Sequence, residues 1–323
     1  MTTTTITLAA ALTLVASAAT AQELKYANWA APMHTITAAQ IDPLTEALAS
    51  GTDGAVTLRA FHGGELGAGP QDQFVRIVQG TADLGWGLPG YTSSQFPLTM
   101  MLEAPGALPL DQPVHAAFWR AADALEAEFP MTEVVAFWGS EPNILMMRDS
   151  EIREPGDLAG LKIRVAGAIA AEAVTALGAT PVQIPMTQVY NGLQTGLIDG
   201  LVSGGSVLSD FKLEEVVGSI TTGPNFGRLT FFTVLNQAAH DRLPEDAQAT
   251  LAEGRAVWSQ RAEEAWIATA DRGLEAARAS DAVVVNDLDA DASAVFDDAM
   301  AEVTNAYVER VGGAEVLAAM RGE

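Results

Sequence analysis

Short apolar runs alternate with longer mixed runs between residues 157 and 205. Three of the apolar runs are bounded by Gly or Pro and predict buried strands: 161–165, 180–184 and 197–202. Helices are predicted between them at 168–177 and 188–194, because Gly178 and Gly196 follow these segments in the position of C-cap residues. Strands that alternate with helices indicate a parallel sheet covered by helices.

The N-terminal half repeats this alternation. Strands are predicted at 24–29, 56–61 and 82–86, with helices at 35–49 and 70–79. The segment GTADLG at 80–85 also echoes GLIDG at 196–200. Two similar α/β units are therefore predicted.

The pattern also predicts the segments that join the two units. Strands are predicted at 134–138 and 228–235, and 139–147 continues the first as an extended crossing segment. Helices are predicted at 115–129 and 210–217. A proline-free run from 244 to 278 predicts either one helix of about 50 Å, at 1.5 Å per residue, or two helices that break at Gly254 or Gly273. One helix of that length exceeds a single small domain.

Composition and charge narrow the class of protein. A chain of 323 residues with 49% hydrophobic content suggests about two domains with ample cores. The formal net charge of -24 argues against nucleic acid or an anionic membrane as a partner. There are no cysteines, which excludes disulfides and a lipid-anchored cysteine.

The N-terminus predicts a secretory signal peptide over residues 1–21. Residues 6–18 are mostly apolar, and Ala19-Thr20-Ala21 fits a cleavage site made of small residues. The usual basic region is missing, because no Lys or Arg precedes Lys25. The apolar run is too short to span a bilayer. We therefore expect a periplasmic protein.

No set of residues forms a catalytic or cofactor motif. The four histidines lack metal-ligand spacing, and no G-x-S-x-G sequence occurs. The glycine-rich loop 62–69 lacks the third glycine of a dinucleotide fingerprint and the lysine of a P-loop. We predict no cofactor and no metal, and an enzyme with a spatially assembled site stays as an alternative.

Arg164 is the most unusual polar residue, since it ends a predicted strand just before a helix N-terminus. Ligands bind outside the carboxyl ends of strands in open α/β sheets, and a guanidinium suits a carboxylate. A salt bridge within the domain is the alternative, and the pattern favours neither. Several aromatic residues also fall near predicted strand ends, where they either line a pocket or pack the two units: Trp29, Trp86, Tyr91, Trp138 and Phe226.

The segment 157–200 is similar to a signature of the solute-binding proteins of tripartite ATP-independent periplasmic (TRAP) transporters. The matching residues are Asp157-Leu158, Gly160, Lys162, Arg164-Val165, Ala176-Leu177-Gly178-Ala179, Pro181-Val182, Val189-Tyr190, Leu193-Gln194, Gly196 and Asp199-Gly200. Further matches are the Thr52-Asp53-Gly54 turn and the helix start from Leu243 to Gln248. This is a long, ordered match.

The resemblance implies an α/β fold with two lobes that close like a Venus flytrap, and one long helix that spans both. It implies a receptor that is not an enzyme, and that delivers a small organic acid to a TRAP membrane permease. A binding protein of an ATP-driven importer is the alternative. In the family, the arginine at the position of Arg164 binds the carboxylate of the solute, and the loop with His34 contributes to the pocket.

Two departures from the family pattern limit the ligand. Val202 stands where many members have a glutamate, which argues against metal-assisted binding, and Ser203 takes the place of a contacting asparagine. The crossing segment around Asn143 lacks the second arginine of many members. A monocarboxylate with an apolar or hydroxylated body is therefore expected, bound by these residues: Arg164, His34, Trp29, Trp86, Tyr91, Asn143, Ser203 and Phe226.

The predicted division of the chain follows from these segments. Lobe I comprises 22–140 plus 231–270, lobe II comprises 141–230 plus 271–310, and 311–323 form a C-terminal tail.

Overall fold

The computed structural model describes residues 21–323. The predicted signal peptide lies outside the described residues, apart from its last position. Within the described part, the strands form one sheet of five and one of six. We call the part of the molecule built on each sheet the first lobe and the second lobe. No helix in this part combines the length and apolar character needed to cross a bilayer.

The first sheet has the strand order β2-β1-β3-β10-β4. Its strands are β1 (Gln22–Ala27), β2 (Val56–Phe61), β3 (Leu84–Gly87), β4 (Thr132–Gly139) and β10 (Thr230–Asn236). Strand β1 runs parallel to β2 and β3, whereas β10 is antiparallel to both β3 and β4. The last six residues of β4 are buried, as expected for a strand covered on both faces.

The second sheet has the strand order β11-β9-β5-β8-β6-β7. Its strands are β5 (Asn143–Met147), β6 (Lys162–Val165), β7 (Thr180–Gln183), β8 (Gly200–Gly204), β9 (Ser219–Thr222) and β11 (Val284–Asp287). Strand β6 is parallel to β7 and β8, and β5 is antiparallel to β8. The carboxyl ends of β6 and β8 thus meet at one edge, which brings Arg164 and Ser203 to the same side of the sheet.

Helices cover both sheets. They are α1 (Asp42–Gly51), α2 (Gln73–Val78), α3 (Val114–Arg120), α4 (Ala122–Glu126), α5 (Ala168–Ala176), α6 (Val189–Thr195), α7 (Val207–Asp210), α8 (Gln237–His240), α9 (Glu245–Ala279), α10 (Ala290–Val311) and α11 (Ala314–Arg321). A π-helical turn at Thr37–Ile41 leads into α1, and short 3-10 turns lie at Pro89–Gln95, Thr99–Glu103, Pro155–Leu158, Met186–Gln188 and Leu213–Glu215.

Two predicted helices are shorter than the pattern suggested. The segment 115–129 is divided into α3 and α4, because Ala121 leaves the helical conformation with φ -112. The predicted helix 210–217 is instead the end of α7 followed by a 3-10 turn. Lys212 lies between them in the left-handed region, with φ 56, and this interrupts the helix.

One helix extends along both lobes. Helix α9 has 35 residues, which corresponds to about 52 Å. Trp258 and Trp266 pack in the core of the first lobe, whereas Ala277 packs in that of the second. A Cβ on residue 273 would lie 3.2 Å from the carbonyl oxygen of Gly205. Glycine at position 273 therefore allows the two backbones to approach closely. The predicted α/β class with one long helix is confirmed.

Two chain crossings connect the sheets near the middle of the molecule. One joins β4 to β5 through residues 140–142, and the other joins β9 to β10 through residues 223–229. Gly227 in the second crossing has φ 73, and a Cβ there would meet the carbonyl oxygen of Glu103 at 2.1 Å. Helix α11 then returns to the first lobe, where Leu317 and Met320 are buried. The exact lobe boundaries stay a prediction.

Candidate functional site

A small cavity lies between the two lobes. It measures about 30 Å³, as space open to the centre of a water molecule. Its walls come from both lobes and are formed by Trp29, His34, Trp86, Leu88, Tyr91, Ser140, Arg164, Met186, Ser203, Gly204, Ser206, Val207, Asp210, Phe211, Leu229, Phe231 and Trp266. The mixture of many apolar side chains and a few polar ones is typical of small-molecule sites.

Arg164 is fully buried at the end of β6. Its Nε donates to the carbonyl of Ile184 at 2.9 Å, and one terminal nitrogen donates to the Tyr91 hydroxyl at 3.3 Å. The other terminal nitrogen, Nη1, is buried without a hydrogen-bond partner in the described structure. Arginine remains charged in proteins, so this group is a buried donor that lacks an acceptor.

No carboxylate within residues 21–323 forms a salt bridge with Arg164. The domain salt bridge that the sequence left open as an alternative is therefore not formed here. Burial lowers the pKa of the Arg164 guanidinium, and the nearby Tyr91 opposes that effect. An uncompensated buried charge is costly, and an anion in the cavity would offset that cost.

Tyr91 connects the two lobes beside Arg164. It lies in the 3-10 turn that follows β3 of the first lobe. Its hydroxyl accepts from Met186 N at 3.0 Å and from Arg164, both in the second lobe. Gly90 and Gly167 touch beside it, since a Cβ on Gly167 would lie 3.0 Å from the Gly90 carbonyl oxygen. The lobes are therefore in direct contact around Arg164.

Stacked aromatic rings form another part of the cavity wall. Trp29 and Trp86 stack with ring centroids 4.5 Å apart, and Trp266 meets Trp86 edge-on at 6.0 Å. The Trp86 indole donates to Asn28 Oδ1 at 2.8 Å, which fixes that ring. The Trp29 Nε1 is buried and has no partner in the described structure. Trp29 also stacks on Phe211 of the second lobe at 6.0 Å, so this wall consists of rings that cover one another, with the Trp29 N–H unpaired among the described residues.

His34 and Asp210 approach each other from opposite lobes. The His34 Nε2 lies 3.6 Å from Asp210 Oδ2, beyond hydrogen-bond distance. The other imidazole nitrogen, Nδ1, accepts from Ile36 N at 3.1 Å. Burial lowers the pKa of His34 to about 3, so the ring is neutral and Nε2 carries its proton. Burial raises the pKa of Asp210 to about 6.

The other oxygen of Asp210 is fully occupied. Its Oδ1 accepts from Thr35 N at 3.1 Å and from Thr35 Oγ1 at 3.0 Å. Thr35 in turn bonds to Thr269 on α9, to which Arg272 donates. These bonds fix the carboxylate so that Oδ2 remains buried and without a hydrogen bond in the described part of the chain.

Six of the eight residues predicted from the sequence lie in the cavity walls, and the structure brings them together: Arg164, His34, Trp29, Trp86, Tyr91 and Ser203. The hydroxyl of Ser203 is buried and unpaired in the described structure. Asn143 and Phe226 lie apart from the walls. The Asn143 amide donates to the Phe226 carbonyl at 3.2 Å, and the Phe226 ring packs on Phe296. As ligand contacts, all eight stay a prediction.

The sequence pattern does not identify several of the wall residues. Trp266 was detectable in principle, because it lies eight residues after Trp258 and therefore on the same face of α9. Asp210 and Phe211 carry no such signal, since the pattern predicts only the start of a short helix there. Met186 precedes a short helix and gave no signal either.

No group of three or more His, Asp or Glu residues in the described ranges is arranged to hold a metal ion. The buried carboxylates Glu103 and Glu141 lie near the chain crossings instead. Glu103 accepts from Thr230 N and Oγ1, and Glu141 accepts from Ser206 N at 2.7 Å. Burial raises the pKa of each to about 7.

The family model described as "Bacterial extracellular solute-binding protein, family 7" matches residues 26–310. The "C4-dicarboxylate-binding periplasmic protein DctP" of Rhodobacter capsulatus is 29% identical over 188 residues, which cover 58% of this chain and 56% of that protein. The "Ectoine/5-hydroxyectoine-binding periplasmic protein UehA" of Ruegeria pomeroyi is 30% identical, over 73% of this chain and 72% of that protein.

A solved structure is similar over nearly its whole length. It is a TRAP periplasmic solute-binding protein from Bordetella bronchiseptica with bound (R)- and (S)-mandelate. It superposes with a TM-score of 0.83 at 25% identity, covering 93% of this chain and 98% of that chain. The match extends over both lobes.

Proposed function

The chain belongs to family 7 of the bacterial extracellular solute-binding proteins and is a solute receptor of the TRAP type, and from this premise we propose that its ligand is a small organic acid with one carboxylate and an aromatic or similarly apolar body. We further propose that it binds this acid in the periplasm, after removal of its signal peptide, and delivers it unchanged to a TRAP membrane permease.

One observation carries the carboxylate assignment. Arg164 is buried with its Nη1 unpaired among the described residues, and it lines the cavity between the lobes. A carboxylate in the cavity would accept from this nitrogen and supply the missing counter-charge. The hydroxyl of Ser203, also unpaired there, offers a further donor.

The rest of the cavity supports a single carboxylate and an apolar body. Arg164 is the one Arg or Lys among its wall residues within 21–323, and the Asp210 carboxylate would repel a second anionic group. The stacked rings of Trp29 and Trp86 suit a flat ligand. The mandelate complex of the Bordetella relative, an aromatic monocarboxylate, agrees with this class.

The size of the cavity supports a receptor that opens and closes. About 30 Å³ is far less than the roughly 150 Å³ of a cavity that admits benzene. The lobes must therefore separate to admit an acid of this class. A ligand that contacts both lobes is bound best in a closed form, and this difference in affinity drives closing.

Calorimetry and thermal-shift measurements test the proposal. We expect benzoate, phenylacetate and cyclohexanecarboxylate to bind, whereas benzamide, which lacks the charge, binds far more weakly. Succinate should bind more weakly than monoacids of similar size. A succinate-like diacid that binds far more tightly than matched monoacids would overturn the assignment.

Small-angle scattering tests the closure. Saturation with a bound acid should make the protein more compact, and the acid should be recovered chemically unchanged. A scattering curve that does not respond to saturating ligand would contradict closure, even if Arg164 binds the acid.

A further inference from the structure

We propose that the face between His34 and Asp210 is a subsite for a hydroxyl group, so that the preferred ligand is a hydroxylated monocarboxylate. This inference rests on the proposed function, because it assumes a carboxylate at Arg164. It adds a second polar anchor for the same ligand, supplied by both lobes.

The first observation is a donor and an acceptor that face each other without bonding. His34 Nε2 and Asp210 Oδ2 are 3.6 Å apart. Both side chains line the cavity, and their exposed fractions are 3% and 7%. Since Nδ1 of His34 accepts from Ile36 N, the proton lies on Nε2. A donor hydrogen and an acceptor oxygen thus reach the cavity side by side.

A hydroxyl group matches this pair in both directions. Its oxygen accepts from His34 Nε2–H while its hydrogen is donated to Asp210 Oδ2. A buried donor or acceptor that remains unpaired costs stability, so a ligand that satisfies both gains affinity. The free indole N–H of Trp29 lies on the same cavity wall and is another donor for the hydroxyl oxygen.

Other functional groups satisfy this pair less well. A hydrogen atom or a methyl group at this position would leave both partners unbonded. A second carboxylate would be repelled by Asp210. A cationic nitrogen, as in a zwitterion, would donate to Asp210 but would leave the His34 Nε2–H without an acceptor. The hydroxyl is therefore the best match among these groups.

Hydrogen bonds to one oxygen of Asp210 orient the other oxygen toward a ligand hydroxyl. Oδ1 is engaged by Thr35 N and Oγ1, and Arg272 reaches the same region through Thr269. The carboxylate therefore cannot turn both oxygens to one partner without losing bonds. Because Asp210 belongs to α7 of the second lobe and His34 to the first, a bridging hydroxyl would also favour the closed form.

The test is a matched ligand series measured by calorimetry on the whole protein. Benzoate and phenylacetate are compared with their ortho-, meta- and para-hydroxy derivatives, and with the methoxy and methyl analogues of each. We expect one hydroxy isomer to bind about 10- to 100-fold more tightly than its parent. Its methoxy analogue should lose this gain, because it cannot donate to Asp210.

Variants locate the effect. In Asp210→Asn the gain of the hydroxy isomer over its parent should collapse, while the parent still binds. Asp281→Asn, at an exposed position of the second lobe, is the matched control and should keep the full gain. If Asp210→Asn does not fold, the comparison of hydroxy, methoxy and methyl ligands on the unaltered protein still decides the question.

Each outcome separates the two proposals. If parent acids bind through Arg164 and no hydroxy isomer exceeds its parent, the hydroxyl subsite is wrong and the proposed function stands. The same holds if the gain persists in Asp210→Asn. If the zwitterion ectoine binds more tightly than every hydroxy acid, the hydroxyl subsite is wrong and so is the apolar body of the proposed ligand, while the carboxylate at Arg164 stands. If no acid binds at all, both proposals fail.

Discussion

The two walls of the cavity differ in how completely they are satisfied without a ligand. The first lobe supplies rings that pack on one another, as Trp29, Trp86 and Trp266 do, and the Trp86 indole is bonded to Asn28. The second lobe supplies polar atoms without partners in the described structure: Arg164 Nη1, Ser203 Oγ and Asp210 Oδ2.

This difference assigns different tasks to the two lobes. Apolar burial is non-directional, so the aromatic wall sets the size of the ligand and a general affinity for apolar bodies. Hydrogen bonds and charges are directional and costly to leave unmade, so the polar wall decides which functional groups bind. Trp29 Nε1 and His34 are the polar exceptions on the aromatic side.

The largest expected effect is the loss of Arg164. Arg164→Ala should weaken binding of any carboxylate by roughly 2–5 kcal/mol, because it removes one partner of a buried charge pair. Arg164→Lys should also bind poorly, since the bidentate fork is lost. Calorimetry with a bound monoacid measures both.

Arg153→Ala is the matched control, because Arg153 is an exposed arginine of the same lobe, with its side chain 64% exposed. It should bind like the unaltered protein. Near-normal affinity in a folded Arg164→Ala variant would show that Arg164 does not bind the carboxylate of the ligand.

The second prediction concerns the stability cost of unpaired polar groups near the polar wall. Glu141 has a buried, unpaired Oε2 in the described structure, and burial raises its pKa to about 7. The folded state therefore binds more protons than the unfolded state between about pH 4.5 and pH 7. The free energy of unfolding should fall as pH rises through this window, by about 1–3 kcal/mol from this group.

Glu141→Gln should flatten that part of the profile, because glutamine does not titrate. The measurement is chemical denaturation of both proteins from pH 4.5 to pH 8, taken as a difference. The difference cancels the opposite contribution of His34, whose lowered pKa makes stability rise with pH up to about its unfolded value. Parallel profiles for the two proteins would contradict the prediction.

The third prediction tests the aromatic wall alone. Trp29→Leu should weaken aromatic acids more than aliphatic acids of similar size, by about 1 kcal/mol beyond the lost apolar area, because ring stacking is removed. Arg164→Ala, in contrast, should weaken both classes equally. Equal losses for both classes in Trp29→Leu would mean that this wall does not select rings.

The sequence predicted the fold and the part of the site around Arg164 better than the part around Asp210. The strands around Arg164 alternate regularly with helices, and Gly178 and Gly196 mark the helix ends, so local patterns sufficed there. Asp210 is the last residue of α7, which ends after four residues just before Lys212 turns the chain. No local pattern encodes which residue of the other lobe will face it.

Asn143 and Phe226 are predicted site residues that do not line the cavity. Both stand at crossings or strand ends, and such positions bring a residue near the cleft but do not determine where its side chain points. In the structure they contact each other and the core of the second lobe. Side-chain direction at a crossing depends on packing between distant segments, which sequence periodicity does not describe.

The smallest expected effect tests the contact between the walls. Tyr91 belongs to the aromatic side, yet its hydroxyl accepts from Arg164 and from Met186 N across the cleft. Tyr91→Phe keeps the ring and removes only these bonds, each worth about 0.5–1.5 kcal/mol. The closed form should become less favourable, so the affinity for every acid should fall by a similar small factor, with little change in selectivity. Scattering without ligand should show a more open average shape than the unaltered protein. Because the same substitution leaves Arg164 with one acceptor fewer, a variant that instead binds carboxylates more tightly would show that Tyr91 competes with the ligand for the guanidinium rather than helping the lobes to close.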